Sequence, residues 1–412
     1  MTRKSIYLPG PGTSDSAQPH LVPDAAVRGR MLFTCGVAGF NVEGKLPDSN
    51  EAQAELIFER IDSILQAADF SREEIGHWFN WAPDRLVGLS KPGSKIGPIN
   101  PPWERMFPDI RSRPARHALA RALDPGMHYR VEIIGVKNAP RKSYEISEQV
   151  FHTGGTEIPG FMPFGTTMGD ILFTGPTFGM DSANGFLGDD PYLQAKMCDD
   201  RNHDLYRLTG HTLDHVAQMF VWYHDAKSRE AAMKYTEVMF PNPSDRPAIH
   251  YVYSQLPYLI PLKIYNEKEG QFLIQYDMIL VSGQKRKVIN LPNTKPMDGV
   301  AGSVPSGVAM GDLCFTSVCL GQDPRTGELK GSIQDQTRQA LRNAQAVVEA
   351  AGFDARDIGH VYVWYRSHDL RGDVDKVWAE IYPDPDQRPT RHCVVGDLPA
   401  DALVGAEITA AR

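Results

Sequence analysis

Three stretches of the chain carry the same arginine–proline–histidine spacing: Arg113-Pro114-Ala115-Arg116-His117, Arg246-Pro247-Ala248-Ile249-His250 and Arg388-Pro389-Thr390-Arg391-His392. The residue before the histidine is Arg116 or Arg391 in two of them and Ile249 in the other. A guanidinium stays charged and forks onto a carboxylate through two hydrogen bonds, so Arg116 and Arg391 can grip a small acid or pair with a protein carboxylate at an interface, and Ile249 can do neither. The recurring His117, His250 and His392 invite a metal reading. No His-x-x-x-His pair accompanies them, so one histidine per motif is read as a packing feature and no metal site is expected. The five cysteines, Cys35, Cys198, Cys314, Cys319 and Cys393, form no Cys-x-x-Cys pair, which argues against a zinc site or a disulfide framework. Cys35 has no charged helper nearby in sequence and reads as a quiet buried thiol rather than a nucleophile.

The elements that must carry these residues also recur. A strand ending in small residues reads Gly29-Arg30-Met31-Leu32-Phe33-Thr34-Cys35, then Gly169-Asp170-Ile171-Leu172-Phe173-Thr174, then Gly311-Asp312-Leu313-Cys314-Phe315-Thr316-Ser317. An aromatic strand follows each time, through Trp81, Trp222 and Trp364, whose tryptophans are core by default. Three anchors in the same order, three times, at a spacing of about 140 residues, describe a whole domain repeated rather than a solenoid. Between the first two anchors the spacing predicts a helix: Ile57, Ile61, Ile64, Leu65 and Ala68 in the first copy, and Leu341, Ala344, Val347, Val348 and Ala351 before Gly352 in the third. The corresponding stretch Leu193 to Leu208 is more polar and irregular. A second, shorter helix is expected over about Arg229–Phe240 and Val374–Ile381, replaced in the first copy by a Gly/Pro-rich loop, Leu86 to Pro102, that borders a cleft. The fold class is therefore α+β, with domains at 1–140, 141–284 and 285–412.

The bulk properties exclude several classes of function. The chain has 412 residues, a formal charge of −8 and no basic stripe, which speaks against a nucleic-acid partner. No apolar window approaches the ~20 residues of a membrane span, and the start lacks a signal peptide, so a cytoplasmic location is expected.

Taken together, these motifs resemble the RidA/YjgF family of enamine/imine deaminases, whose domain has a chorismate mutase-like fold. The third copy carries the best match, from Phe315-Thr316-Ser317 through Asp323-Pro324-Arg325-Thr326-Gly327 and Arg388-Pro389-Thr390-Arg391-His392-Cys393 to Gly405-Ala406-Glu407-Ile408. The resemblance implies a homotrimer-like ring, here made within one chain: a pseudo-trimer with a central β-barrel, outer helices and a ligand cleft at each domain boundary. It implies that Arg116 and Arg391 hold a substrate carboxylate, and that Glu132 and Glu407, with Asp277 between them, position a water. It also implies that Cys35, Thr174 or Ser317 offers small polar contacts, that Cys393 lines the wall, and that Asn100 supplies a wall amide, with Met233 and Asp375 at the matching positions. Val22, Phe161 and Val304 stand where the family has a tyrosine.

With these residues in those roles, the resemblance implies a hydrolase that needs no cofactor and releases ammonia from a carboxylate-bearing imine or enamine. Arg391 with Glu407 is the expected best pair. The tripled chain suggests a dedicated substrate, and the partners expected are a small carboxylate and, at most, a second copy of the chain. Two other readings stay open: hydrolysis of another C–N bond, amide or ring, and a non-catalytic binder of small carboxylates or partner proteins. A binder would need the arginine but not the glutamate.

Overall fold

Each copy builds the same seven-stranded mixed sheet. The computed structural model describes residues 2–10, 16, 18, 20–83, 98–145, 152–153, 156–157, 163–179, 190–254, 258–259, 270–292, 304–399 and 401–412. In the first sheet the elements run β1 (Arg3–Ile6), β2 (Ala25–Arg28), β3 (Met31–Thr34), β4 (Val37–Ala38), α1 (Asn50–Ala68), β5 (Ile75–Ala82), α2 (Asn100–Met106), β6 (Ala115–Ala120) and β7 (Arg130–Val136). Their order in the sheet is β1-β2-β3-β7-β5-β6, with β4 also on β7. Only β5 and β6 run parallel, and α2 lies on the crossover between them. The second sheet, from Arg141–Tyr144 to Ile274–Val281, and the third, from Lys287–Ile289 to Val404–Ala411, repeat this order.

Local chemistry accounts for the elements. Ser49 caps α1 by accepting from the Ala52 amide, and the chain leaves through Asp69 in the left-handed region. Ser332 caps helix Ile333–Ala351 in the same way, and Gly352 ends it at φ 94°. The helix of the second copy, Pro191–Thr209, forms despite its weak pattern. Asp190 caps it, and it buries Gln194, Asp199, Arg201 and Asn202 among its apolar residues. The first copy does contain the shorter helix: α2 is reduced to seven residues, against Ala226–Met239 and Arg371–Ile381 in the other copies. The loop expected at Leu86 to Pro102 falls largely on residues 84–97, outside the described residues; its end enters α2.

Each sheet packs its helices on one face, giving one apolar cluster per copy. The opposite faces meet one another. Met31, Phe33, Phe173, Met310 and Phe315 share one cluster, and Phe79, Trp81, Phe220, Trp222, Tyr362 and Trp364 share another. The tryptophan series is thus core between copies rather than within one. Equivalent residues of all three copies also meet at the turn before the first anchor strand, where Arg30 bonds Asp170 at 2.9 Å and Asp312 at 3.0 Å. Gly29, Gly169 and Gly311 open these turns at positive φ, which explains their recurrence.

Candidate active site

Sheet register decides which face each site residue occupies. Arg116 pairs with Trp78 and, across β5, Ile133; His117 pairs with Phe79 and Glu132. Directly opposed residues share a face and neighbours alternate, so Arg116 lies on the helix side and Glu132 on the side facing other copies. The third copy repeats this: Arg391, Val361 and Ile408 share one face, His392, Tyr362 and Glu407 the other. The expected pairs Arg391 with Glu407 and Arg116 with Glu132 are therefore not brought together within a copy.

On the helix side of the first copy, Arg116 is 3% exposed. Its Nη1 donates to the Asn100 Oδ1 at 2.8 Å and its guanidinium lies 4.7 Å from the Trp103 ring. No carboxylate is paired with it among the described residues. Burial, and then the charge of Arg113, push its pKa down to about 9, against a smaller opposing effect of Glu104, so the cation persists at neutral pH although no carboxylate is bonded to it. Tyr129 lies on the same face, and burial raises its hydroxyl to about 12, keeping it protonated. The Arg116 Nε, the Tyr129 hydroxyl and the Trp103 Nε1 are all buried without a hydrogen-bond partner. Several such donors beside one unpaired cation are costly, each by about 1–3 kcal/mol, unless a ligand satisfies them. An acid would satisfy both the charge and the donors.

The other copies differ. Arg391, fully buried, forms an ion pair with Asp375 and lies 4.9 Å from the Trp378 ring. The Asp375 carboxylate also accepts from the Ser16 Oγ at 2.9 Å. In the second copy Ile249 packs into the apolar cluster, with Met233 against it. The Arg, Trp and Asn or Asp positions are thus equivalent in the first and third copies. Trp103 and Tyr129 escaped the sequence reading. Aligning copies on the last strand would have found Tyr129, since Glu132, Asp277 and Glu407 put Ile274 and Val404 at its place.

The recurring acids and histidines turn out to be one another's partners across copies. His117 Nδ1 lies 2.6 Å from Asp277, and His250 Nδ1 lies 2.8 Å from Glu407. Glu132 holds His392 and the Tyr362 hydroxyl. Gln218 adds a 2.6 Å bond to Glu407. Burial drives His392 well below its ordinary value. Glu132 and Glu407, expected to hold water beside an arginine, instead tie the copies together.

The small polar residues also redistribute. Thr34, Thr174 and Thr316 each accept from a backbone amide of the last strand, at 2.9, 2.8 and 2.8 Å from Ile133, Met278 and Ile408. The residue equivalent to Cys35 and Ser317 is therefore Gly175, not Thr174. Ser317 accepts from the Ile249 amide at 3.2 Å, so the hydroxyl of the third copy serves the second, which has no anchor. Cys35 is buried in the first cluster and Cys393 in the third, where the Cys393 carbonyl accepts from Arg130 at 2.9 Å. None of the five cysteines forms a disulfide, and all are buried. Among the described residues no group of three His, Cys, Asp or Glu side chains is arranged to hold a metal, and no helix is long and apolar enough to cross a membrane.

This domain has known relatives. A family model described as endoribonuclease L-PSP matches residues 298–412. A RutC family protein of Pyrococcus horikoshii is 35% identical over 111 residues, 26% of this chain and 86% of that protein. The chain belongs to the RidA/YjgF family. Another relative, the 2-iminobutanoate/2-iminopropanoate deaminase of Escherichia coli K12, is 31% identical over 121 residues, 29% of this chain and 94% of that one. Among solved structures, a chorismatase matches 82% of this chain and 93% of its own at a TM-score of 0.50 and 14% identity, a likeness of fold that extends well beyond one RidA/YjgF domain.

Proposed function

We propose that this protein hydrolyses a small imine or enamine bearing a carboxylate, releasing ammonia, and that its working site is the Arg116 cradle of the first domain. The observation that carries this is the buried Arg116 cation held by the neutral amide of Asn100 rather than by an acid. The substrate carboxylate supplies the missing charge, accepting from the guanidinium and from the Tyr129 hydroxyl. Anchoring converts attack by water into a positioned reaction. Water adds to the imine carbon, its proton passes to nitrogen, the carbon–nitrogen bond breaks, and ammonia leaves as the carbonyl forms. The atoms balance as imine plus water giving ketone plus ammonia, with no oxidant or cofactor. The names of the relatives, which include 2-iminobutanoate/2-iminopropanoate deaminase, support the reaction class.

The same proposal includes an intramolecular pseudo-trimer, with domains at 1–140, 141–284 and 285–412 closed around a central barrel, acting as a monomer or pairing once in the cytoplasm. The cyclic histidine–acid contacts, first domain to second, second to third and third to first, support it. So does the meeting of Arg30, Asp170 and Asp312. Generating 2-iminobutanoate in situ from the amino acid and following ammonia release tests the chemistry. Arg116→Ala should abolish turnover in a folded chain, and Arg391→Ala should not. Full turnover by Arg116→Ala refutes the assignment.

A further inference from the structure

We propose that Asp375 is a built-in carboxylate that closes the anchor of the third domain, so that the residue at this helix position, Asn100, Met233 or Asp375, decides whether a domain accepts an external acid. The inference rests on reading Arg116 as a carboxylate anchor. Asn100 and Asp375 sit on equivalent crossover helices, bond the equivalent arginine and leave it over the equivalent tryptophan. They differ by one substitution of oxygen for an amide nitrogen. The amide holds the guanidinium and leaves its charge uncancelled; the carboxylate cancels it.

The Asp375 carboxylate is held as a bound ligand would be. One oxygen meets Arg391 and the other accepts from Ser16 at 2.9 Å, and Asp375 is 1% exposed. Ser16 comes from the first domain, whose neighbouring residues clasp the third. Ser5 donates to the Arg388 carbonyl at 2.6 Å, Tyr7 donates to the Pro385 carbonyl at 2.9 Å, and Leu21 is buried in the third apolar cluster. A tethered acid competes at an effective concentration that a free metabolite does not reach. Displacing it would also strand a buried charge. The three domains thus present one open anchor, one that has lost both partners to Met233 and Ile249, and one that is self-occupied.

Calorimetric titration of the full chain with 2-oxobutanoate, the product-like acid, counts the sites. The wild type should bind one equivalent, Arg116→Ala none, and Asp375→Asn two. The decisive variant is Arg116→Ala/Asp375→Asn, where binding should return to one equivalent. A folded double variant that binds nothing, while Arg116→Ala alone has lost binding, overturns this inference and leaves the Arg116 reading intact. Wild-type binding by Arg116→Ala overturns the Arg116 reading itself. Because Asp375→Asn strips a buried cation of its partner, a second variant guards against misfolding. Asp375→Met/Arg391→Ile installs the second domain's own pair and should keep wild-type stoichiometry and turnover of 2-iminobutanoate. A loss of about tenfold or more in kcat/KM in that folded variant refutes the closed site.

Discussion

Asn100→Asp should convert the working domain into a closed one. The amide oxygen lies 2.8 Å from Arg116 Nη1, so a carboxylate there gains a charge-assisted bond without any rearrangement. The buried guanidinium is destabilised by its surroundings and then by Arg113, and an acid at position 100 opposes both effects. A substrate carboxylate must then displace the internal acid. Taking one hydrogen bond to a charged group at about 1.5–3 kcal/mol, kcat/KM should fall roughly 10–150-fold, mainly through KM. Thermal stability should move the other way and rise, because the cation has acquired a partner. Asn100→Met, the second domain's residue, removes the existing bond and adds no charge, so its Tm should fall. Steady-state ammonia release and calorimetric unfolding measure both quantities. If Asn100→Asp lowers Tm and leaves KM unchanged, Arg116 is not the substrate anchor and its charge is compensated by another route.

Glu407→Ala should cost about 3–5 kcal/mol of stability by stranding His250 and Gln218 between domains, with KM little changed, whereas Glu407→Gln should recover much of the loss; a selective collapse of kcat in a stable Glu407→Gln chain would mark it as catalytic after all. Arg30→Ala leaves Asp170 and Asp312 facing each other; the groups are partly exposed, so denaturant unfolding should register only about 1 kcal/mol, more at low than at high salt. His360, buried and 2.9 Å from the Thr390 hydroxyl, is pushed down to about 3 by burial. The unfolded chain therefore takes up this proton first, and stability drops as pH falls below the ordinary histidine value, by up to about 1.4 kcal/mol per pH unit. His360→Gln, matching Gln218 of the second domain, should flatten that slope between about pH 6 and 4 in urea titrations, and an unchanged slope would assign the acid sensitivity to other groups.

Much of this architecture is legible along the chain because its signals are local. The helical spacing of Ile57, Ile61, Ile64 and Leu65 needs only neighbouring turns, and the Gly29, Gly169 and Gly311 turns need only their own φ. The triple repeat, and the loss of the anchor at Ile249, can be read from residue order alone. The shortened helix at Asn100 was hidden because its Pro101-Pro102 start resembles a loop, although proline is tolerated in a first helical turn.

The site itself was decided in three dimensions. Strand parity puts Arg391 and Glu407 on opposite faces of one sheet, so a motif that lines them up in sequence separates them in space. Glu407 finds His250, and Glu132 finds His392, because the outer face of each sheet is covered by another domain, and no local pattern encodes a partner that far along the chain. The difference between Asn100 and Asp375 looks conservative in sequence. It becomes decisive only where burial removes water, since there one carboxylate cancels a guanidinium's charge and one amide leaves it available.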